Sequence, residues 1–285
     1  MLQKYDALKS SLLLALAAAG GAALSGTATA SEVACSLDNG YSIDLASYVA
    51  EAATCVEQAS NFDAAMADAL LTEINVERAA AGLAPLNRRA SLDMAAQSHA
   101  LDMSTRIYAD HVDLEGRDHL HRIRAFDRTM LVGASGSNVT VGRAADGAAA
   151  IHQKIKMDEF SAANIVRDSF TDVGIGVVEE AGQFYVVQVF AAAEGEFETA
   201  IPVSAKGSQP LRANLSDRDR QVVAWGLIDA QSGEMLARST MPRVRFSSAQ
   251  GTDSAALDVL VAVRIFSFVL IGPLGCGRYL IFPRV

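Results

Sequence analysis

The residues most able to do chemistry in the middle of this chain are a lone histidine and two serines. His111 lies in a loop-like stretch, and Ser137 and Ser161 follow it. Imidazole titrates near physiological pH, so His111 is a candidate general base. The alternative is a cavity residue that hydrogen-bonds to neighbouring backbone, and we favour this second interpretation.

The two serines lack the sequence context of known nucleophiles. A serine becomes nucleophilic only beside a base and an oxyanion pocket. Neither Ser137 nor Ser161 lies in a Gly-x-Ser-x-Gly or Ser-x-x-Lys sequence. We therefore predict that neither serine is catalytic.

A second group of polar residues follows His111. His119 and His121 come after Asp113 and Glu115, a composition that can mimic a metal site. The stretch is charged and loop-like, and residues two apart lie on opposite faces of a helix. We therefore predict that His119 and His121 are exposed to solvent.

Hydrophobic periodicity predicts the elements that position these residues. The predicted helices run from an N-cap at Asn61 to a left-handed turn at Gly82, over 91–105, over 143–156 and shortly after Asp158. A β-hairpin is predicted from 171–179 and 184–189. Helices followed by adjacent strands indicate an α+β fold.

The first 30 residues have the composition of a secretory signal peptide. Lys4 and Lys9 precede an apolar stretch over 12–24, and Ala28-Thr29-Ala30 supplies small residues before Ser31. An uncleaved membrane anchor is the alternative, but the apolar core is shorter than the roughly 20 residues that cross a bilayer. We predict cleavage after Ala30 and export to the periplasm or the extracellular space.

The net charge and the cysteine content indicate which class of partner and which cellular compartment suit this protein. The net charge of −9 argues against nucleic acid as a partner, because an acidic surface repels phosphates. Cys35 and Cys55 can close a disulfide loop in an oxidising compartment. Cys276 is the odd cysteine, and we interpret it as a buried apolar side chain rather than as an intermolecular bridge or a reactive thiol.

Composition divides the exported chain into three segments. Residues 31–60 form a leader with a predicted helix over 43–58, residues 61–200 hold the helices and hairpin above, and residues 205–285 form a smaller β-rich domain after a linker. The apolar run at 257–271 contains Arg264 and glycine breaks follow it. We therefore predict buried strands there rather than a membrane helix, and no stable membrane span after signal cleavage.

Five short motifs occur in an order typical of one family. They are Asn75–Arg78 with Gly82–Leu86, Asp110–Arg117, Gly136–Asn138, Asp158–Val166 and Val173–Val177. Together they resemble the CAP superfamily, which includes cysteine-rich secretory proteins, antigen 5 and plant pathogenesis-related proteins, in its compact bacterial form. The resemblance covers roughly residues 70–193 and implies a CAP-like α/β/α sandwich.

The resemblance also implies a cavity whose metal ligands are incomplete. Histidines and glutamates of that family's cavity can hold a divalent ion. Here His111 matches the first histidine, Ser137 replaces the glutamate before Asn138, and Ser161 replaces the second histidine. We therefore expect no metal or cofactor at these positions, unless Asp158 or Glu159, which are close in sequence, supplies a ligand.

The sequence is compatible with two functions. The first is a non-catalytic exported protein whose CAP-like domain binds a ligand or a protein partner in the cell envelope or the extracellular space. The second is a hydrolase that acts on envelope material or peptides through His111. We favour the first, because two cavity positions have lost the side chains that the family uses.

Overall fold

The computed structural model describes residues 35–205, 207–229, 232–249, 255–265 and 268–283. The predicted signal peptide and its cleavage site lie outside the described residues. The side chain of Cys276 does so too. The helices are α1 (Leu45–Gln58), α2 (Ala64–Ala80), α3 (Ala90–Arg106), α4 (His119–Phe126), α5 (Ala148–Lys156) and α6 (Glu159–Ile165).

The strands form one central sheet, one C-terminal sheet and a short pair. They are β1 (Asn87–Arg88), β2 (Met130–Arg143), β3 (Asp172–Glu180), β4 (Gln183–Phe197), β5 (Ser204–Ala205), β6 (Ser208–Pro210), β7 (Ala213–Leu215), β8 (Arg220–Asp229), β9 (Met235–Ser239), β10 (Arg243–Arg245), β11 (Ala255–Ile265) and β12 (Phe268–Pro283). The central order is β1-β3-β4-β2, with β7 also paired to β4. The predicted hairpin is β3 and β4, paired from Glu180 opposite Gln183.

Aspartates start four of the helices. The carboxylates of Asp44, Asp63, Asp118 and Asp158 each accept a hydrogen bond from the backbone N–H three residues later. The predicted cap at Asn61 is therefore two residues early. The carbonyl of Asn61 instead accepts from the N–H of Glu179 and extends the sheet edge.

The central sheet has helices on both faces, as a three-layer sandwich requires. Alternate residues of β4 point to opposite sides. Val187 and Val189 pack in a core with α1, α3 and α4, whereas Val186 and Phe190 pack in a core with α2, α5 and α6. The α+β fold class and its CAP-like layering are confirmed.

Glycines in the Val-Gly-Ile-Gly-Val run let α3 lie directly on β3. A Cβ at Gly174 would overlap the backbone of Leu92, and a Cβ at Gly176 would lie 2.5 Å from the backbone of Ala96. The motif therefore sets the distance between one helix and the sheet.

Two helix predictions need correction. The helix predicted from residue 143 begins only at Ala148, because Arg143 ends β2 opposite Gln183 and Gly147 is the N-cap. The charged stretch predicted as a loop contains α4. Asp118 caps that helix, and the buried Ile123 packs in the core beside α1 and α3.

The predicted disulfide is confirmed. Cys35 and Cys55 are bonded with their Cα atoms 4.8 Å apart. Since Cys55 is buried in α1, the bond fastens the entering chain to that helix.

The C-terminal sheet has the order β5-β12-β11-β8-β9. In this segment β8 and β9 form an antiparallel hairpin, and the apolar run lies in β11 and β12. Among the described residues, no helix is long and apolar enough to span a membrane. The core of this sheet includes Trp225 and Leu257 together with Leu131 and Phe197 from β2 and β4.

Candidate functional site

A direct hydrogen bond joins two of the predicted cavity residues. The Nδ1 atom of His111 lies 2.9 Å from the Oγ atom of Ser137. Ser137 is buried on β2, whereas His111 is exposed on the loop between α3 and α4. The expected partner of His111 was neighbouring backbone, so the serine hydroxyl is a partner that the sequence did not predict.

The pair lies in an open cavity of about 380 Å³. The cavity is lined by His111, His119, Gly136, Ser137, Phe160, Ala163, Asn164 and Arg167. Its polar floor offers two imidazoles, a hydroxyl and an amide. The rim combines the aromatic ring of Phe160, which is 82% exposed, with the exposed cation of Arg167.

Arginines hold the His111 loop in place. The guanidinium of Arg122 is 1% exposed and donates to the carbonyl oxygens of His111 at 2.7 Å and of Arg117 at 2.6 Å. Arg117 in turn pairs with Asp113 at 2.7 Å. Most of the 110–117 motif is therefore a scaffold that presents His111.

A second network fixes the opposite wall. The amide nitrogen of Asn164 donates to the carbonyl of Ser137 at 3.2 Å and to the side chain of Asn138 at 3.0 Å. Asn138 is fully buried and donates to the carbonyl of Ser161 at 3.1 Å and to Gln188 at 3.0 Å. These bonds fasten α6 to β2, so Asn138 and Ser161 position the wall rather than enter the cavity lining.

Asp158 has a structural partner of its own. It caps α6 by accepting from the backbone N–H of Ser161 at 2.7 Å. Hydrogen bonds from the side chain and backbone of Ser161 lower the pKa of Asp158. The carboxylate therefore stabilises the start of α6 and is not among the cavity-lining groups.

The sequence did not reveal what Arg78 does. Its guanidinium is 1% exposed and donates to four carbonyl oxygens: Ala84 at 2.8 Å, Ile165 at 3.0 Å, Arg167 at 2.8 Å and Phe170 at 3.1 Å. These acceptors include the last residue of α6. The Asn-x-x-Arg motif thus positions the helix that carries Phe160 and Asn164. An arginine on the buried face of an amphipathic helix was the available signal.

The prediction that His119 and His121 are solvent-exposed is wrong. Both are half-buried on α4; His119 lines the cavity, and the ring of His121 lies 6.2 Å from that of Tyr48. Burial lowers the pKa of His119 and lowers that of His121 to about 4. The helix was signalled by Asp118 followed by Leu120 and Ile123 at helical spacing.

The remaining two histidines, His99 and His152, are buried. The Nε2 atom of His99 lies 2.7 Å from the carbonyl oxygen of Asp110, and burial holds the pKa of His99 well below its usual value. His152 is 2% exposed and lies 2.8 Å from Glu77. Neither contributes to the cavity.

The residues present do not fit the divalent metal that the family resemblance implies. The cavity lining contains two imidazoles and no carboxylate. Elsewhere among the described residues, the one close group of three possible ligands is Asp102, Asp113 and Glu115. Their oxygens bind the guanidinium groups of Arg106 and Arg117 at 2.5–3.0 Å. The two arginines therefore already provide the positive charge that a metal ion would bring to these carboxylates.

Residues 71–190 match the CAP family, described as the cysteine-rich secretory protein family. No curated protein matches the chain.

Three solved structures are similar over somewhat less than half of this chain. An outer surface protein from Borrelia burgdorferi has a TM-score of 0.42 and 14% identity, covering 46% of this chain and 94% of that protein. An extracellular protein containing an SCP domain from Bacillus anthracis has a TM-score of 0.39 and 21% identity, covering 45% and 40%.

A cysteine-rich secretory protein from Staphylococcus aureus has a TM-score of 0.33 and 17% identity, covering 47% and 40%. The chain thus spans well under half the length of the Bacillus and Staphylococcus proteins. The family match contains the motifs that present His111, anchor α6 and seat α3 on the sheet. The chain therefore carries, over residues 71–190, a domain of the CAP family.

Proposed function

We propose that this is an exported protein whose CAP domain is a non-catalytic binding module in the cell envelope or the extracellular space. The observation that carries the proposal is the cavity itself, which combines a polar floor at the His111–Ser137 pair with the exposed ring of Phe160 at its rim. Binding sites commonly join a concave apolar surface to a few fixed polar groups.

The ligand that suits this arrangement is an amphiphile. Its polar head would hydrogen-bond to His111, Ser137 and Asn164, and its apolar part would cover Phe160. Met157, at the end of α5 and three residues before Phe160, is a further exposed apolar side chain, at 87%, although it does not line the cavity. The groups on the floor are held by Arg122 and Arg78 through backbone carbonyls, which favours preorganised binding.

A binding experiment tests this proposal with a neutral single-chain amphiphile. Calorimetry with dodecyl maltoside below its critical micelle concentration should give saturable binding, and Phe160→Ser should weaken it about tenfold because one buried aromatic contact is lost. Ile43→Ser is the matched control, since Ile43 is 81% exposed away from the cavity lining. No saturable heat, or equal losses in both variants, would contradict the proposal.

One observation favours a second candidate, a hydrolase. A serine hydroxyl 2.9 Å from an imidazole nitrogen has the geometry of a nucleophile and its base. Such a pair also needs a group that orients the imidazole and donors for the oxyanion. Asp158, whose carboxylate contacts the backbone of Ser161, is already the cap of α6.

Serine-reactive labelling separates the two candidates. A fluorophosphonate probe followed by intact-mass measurement should leave the protein unmodified. Adduct formation at Ser137 that requires His111 would make the hydrolase the better interpretation. Ser135→Ala serves as a control for nonspecific labelling on the same strand.

Export is part of the proposal and has its own test. The Cys35–Cys55 disulfide supports an oxidising compartment. Mass spectrometry of the mature protein should find Ser31 at its N-terminus, and retention of the first 30 residues would contradict cleavage after Ala30.

A further inference from the structure

A second cavity lies in the C-terminal sheet region, and its lining is strongly cationic. It has a volume of about 370 Å³ and is lined by Trp225, Ala237, Arg238, Ser239, Met241, Arg243 and Arg245. Three of these residues are arginines with exposed side chains, and none is acidic. This is notable in a chain whose net charge is −9.

The three arginines have no carboxylate partner among the described residues. Arg243 donates to the hydroxyl of Ser208 at 2.9 Å, and within the described part of the chain no ion pair involves Arg238, Arg243 or Arg245. Their charges therefore add in one place and attract an anion.

The scaffold beneath two of the arginines is rigid. Arg243 and Arg245 flank Val244, which is 1% exposed in the core, so strand alternation places both arginines on the other side, about 7 Å apart. Their strand, β10, pairs with β6. The indole Nε1 of Trp225 donates to the carbonyl of Met241 at 2.8 Å and fastens the turn between β9 and β10.

A neighbouring cavity shows why charge balance matters. It is lined by Arg212, Arg218 and Arg220, but also by Glu198 and Asp217. Arg220 pairs with Asp217 at 3.2 Å and with Glu194 at 2.7 Å. The positive charge of that cavity is therefore compensated in part, at Arg220 and by the two carboxylates of its lining, whereas the lining of the Trp225 cavity contains no carboxylate.

We propose that the Trp225 cavity binds a phosphate group. Guanidinium groups match phosphate oxygens with paired hydrogen bonds, and their three positive charges exceed the double charge of a phosphomonoester and the single charge of a phosphodiester headgroup. The phosphate belongs either to a small soluble phosphoester or to an anionic lipid headgroup. This site is separate from the cavity lined by His111 and Ser137. A failure of the proposed function would therefore not contradict phosphate binding here, and the reverse also holds.

The chain contains its own reporter for this site. Trp225 is the single tryptophan of the sequence and lines the cavity. Its emission in the full chain is followed at constant ionic strength during titration with inorganic phosphate, with glycerol 3-phosphate, and with phosphatidylglycerol or phosphatidylcholine vesicles. Saturation by the soluble esters identifies a soluble ligand, and saturation by phosphatidylglycerol vesicles alone identifies a headgroup.

Variants assign the response to the arginines. Arg243→Gln with Arg245→Gln should weaken binding roughly tenfold or more, because two charge-assisted contacts are lost. Arg212→Gln with Arg218→Gln makes the same change of net charge at the partly compensated cavity and should alter affinity less than twofold. If the first pair fails to fold, Arg238→Gln on the edge strand β9 provides the same test and should weaken binding.

Two results would overturn the proposal. One is the absence of a saturable Trp225 response, and of calorimetric heat, with all of the phosphate probes. The other is an equal loss of affinity in the two double variants. That result would show that phosphate binding depends on the net charge of the protein and not on the arginines of the Trp225 cavity.

Discussion

The guanidinium of Arg78 donates to the carbonyl oxygen of Ile165 across 3.0 Å, which joins the end of α2 to the end of α6. A residue 87 positions earlier in the chain therefore holds the helix that supplies Phe160 and Asn164 to the cavity. The link is sequence-distant, buried and made to backbone. It explains why a charged side chain can occupy the core although no carboxylate of the described residues forms an ion pair with it.

Removing this guanidinium should be severely destabilising. Arg78→Met leaves four carbonyl oxygens without their donor, and we expect the free energy of unfolding to fall by about 3 kcal/mol or more. Urea denaturation measures the change. Arg143→Met is the control, because the Arg143 side chain is 76% exposed and its loss should change stability by less than about 0.5 kcal/mol. Equal effects would refute the structural role.

The glycines of β3 give a second prediction. Gly174→Ala and Gly176→Ala should each lower the free energy of unfolding by about 1–3 kcal/mol, because the new methyl group meets the backbone of α3. Gly147→Ala should be tolerated, since Gly147 has a φ of −75° and open space around its Cα. Thermal melts of the three variants suffice, and a stable Gly174→Ala protein would contradict the close packing.

The buried histidines predict an acid-sensitive fold. Burial lowers the pKa of His121 to about 4, so the unfolded state binds a proton first as the pH falls. The contribution of neutral His121 to stability is complete above about pH 6.5 and is lost between about pH 6.5 and pH 4. Denaturant midpoints at pH 7, 6, 5 and 4 measure this loss.

A variant isolates the contribution of His121 to the loss of stability at low pH. His121→Gln cannot be protonated, so its midpoint should fall less steeply over the same range than that of the wild type. His99 and His119, whose pKa values are also lowered by burial, account for part of the remaining slope. Identical slopes in the two proteins would show that His121 is not linked to folding.

Much of the fold was predictable because its signals are local. The β3–β4 hairpin follows from alternation around Glu180–Gln183, and the Cys35–Cys55 bond follows from cysteine count and compartment. The start of α2 was placed two residues early because both Asn61 and Asp63 suit a cap, and only the sheet pairing of Asn61 decides between them.

The site was less predictable because its contacts are long-range. Nothing in the local sequence of Ser137 indicates that His111 lies within hydrogen-bond distance. The exposure of His119 and His121 was mispredicted because α4 is short and rich in polar residues, and its apolar side chains become evident only against α1 and α3. The motifs chiefly indicate how the elements around the cavity are held. Arg78 anchors α6, and Gly174 allows α3 to lie directly on the sheet.

Zinc binding tests most directly the central claim that this CAP cavity lacks a metal-binding set. We expect no zinc-dependent rise in the melting temperature of the wild-type protein. Ser137→Glu with Ser161→His should restore ligands and raise stability by about 2–3 kcal/mol at a zinc concentration 100 times the dissociation constant, with much smaller effects of either change alone. Tight zinc binding by the wild type that His111→Ala abolishes would contradict the claim.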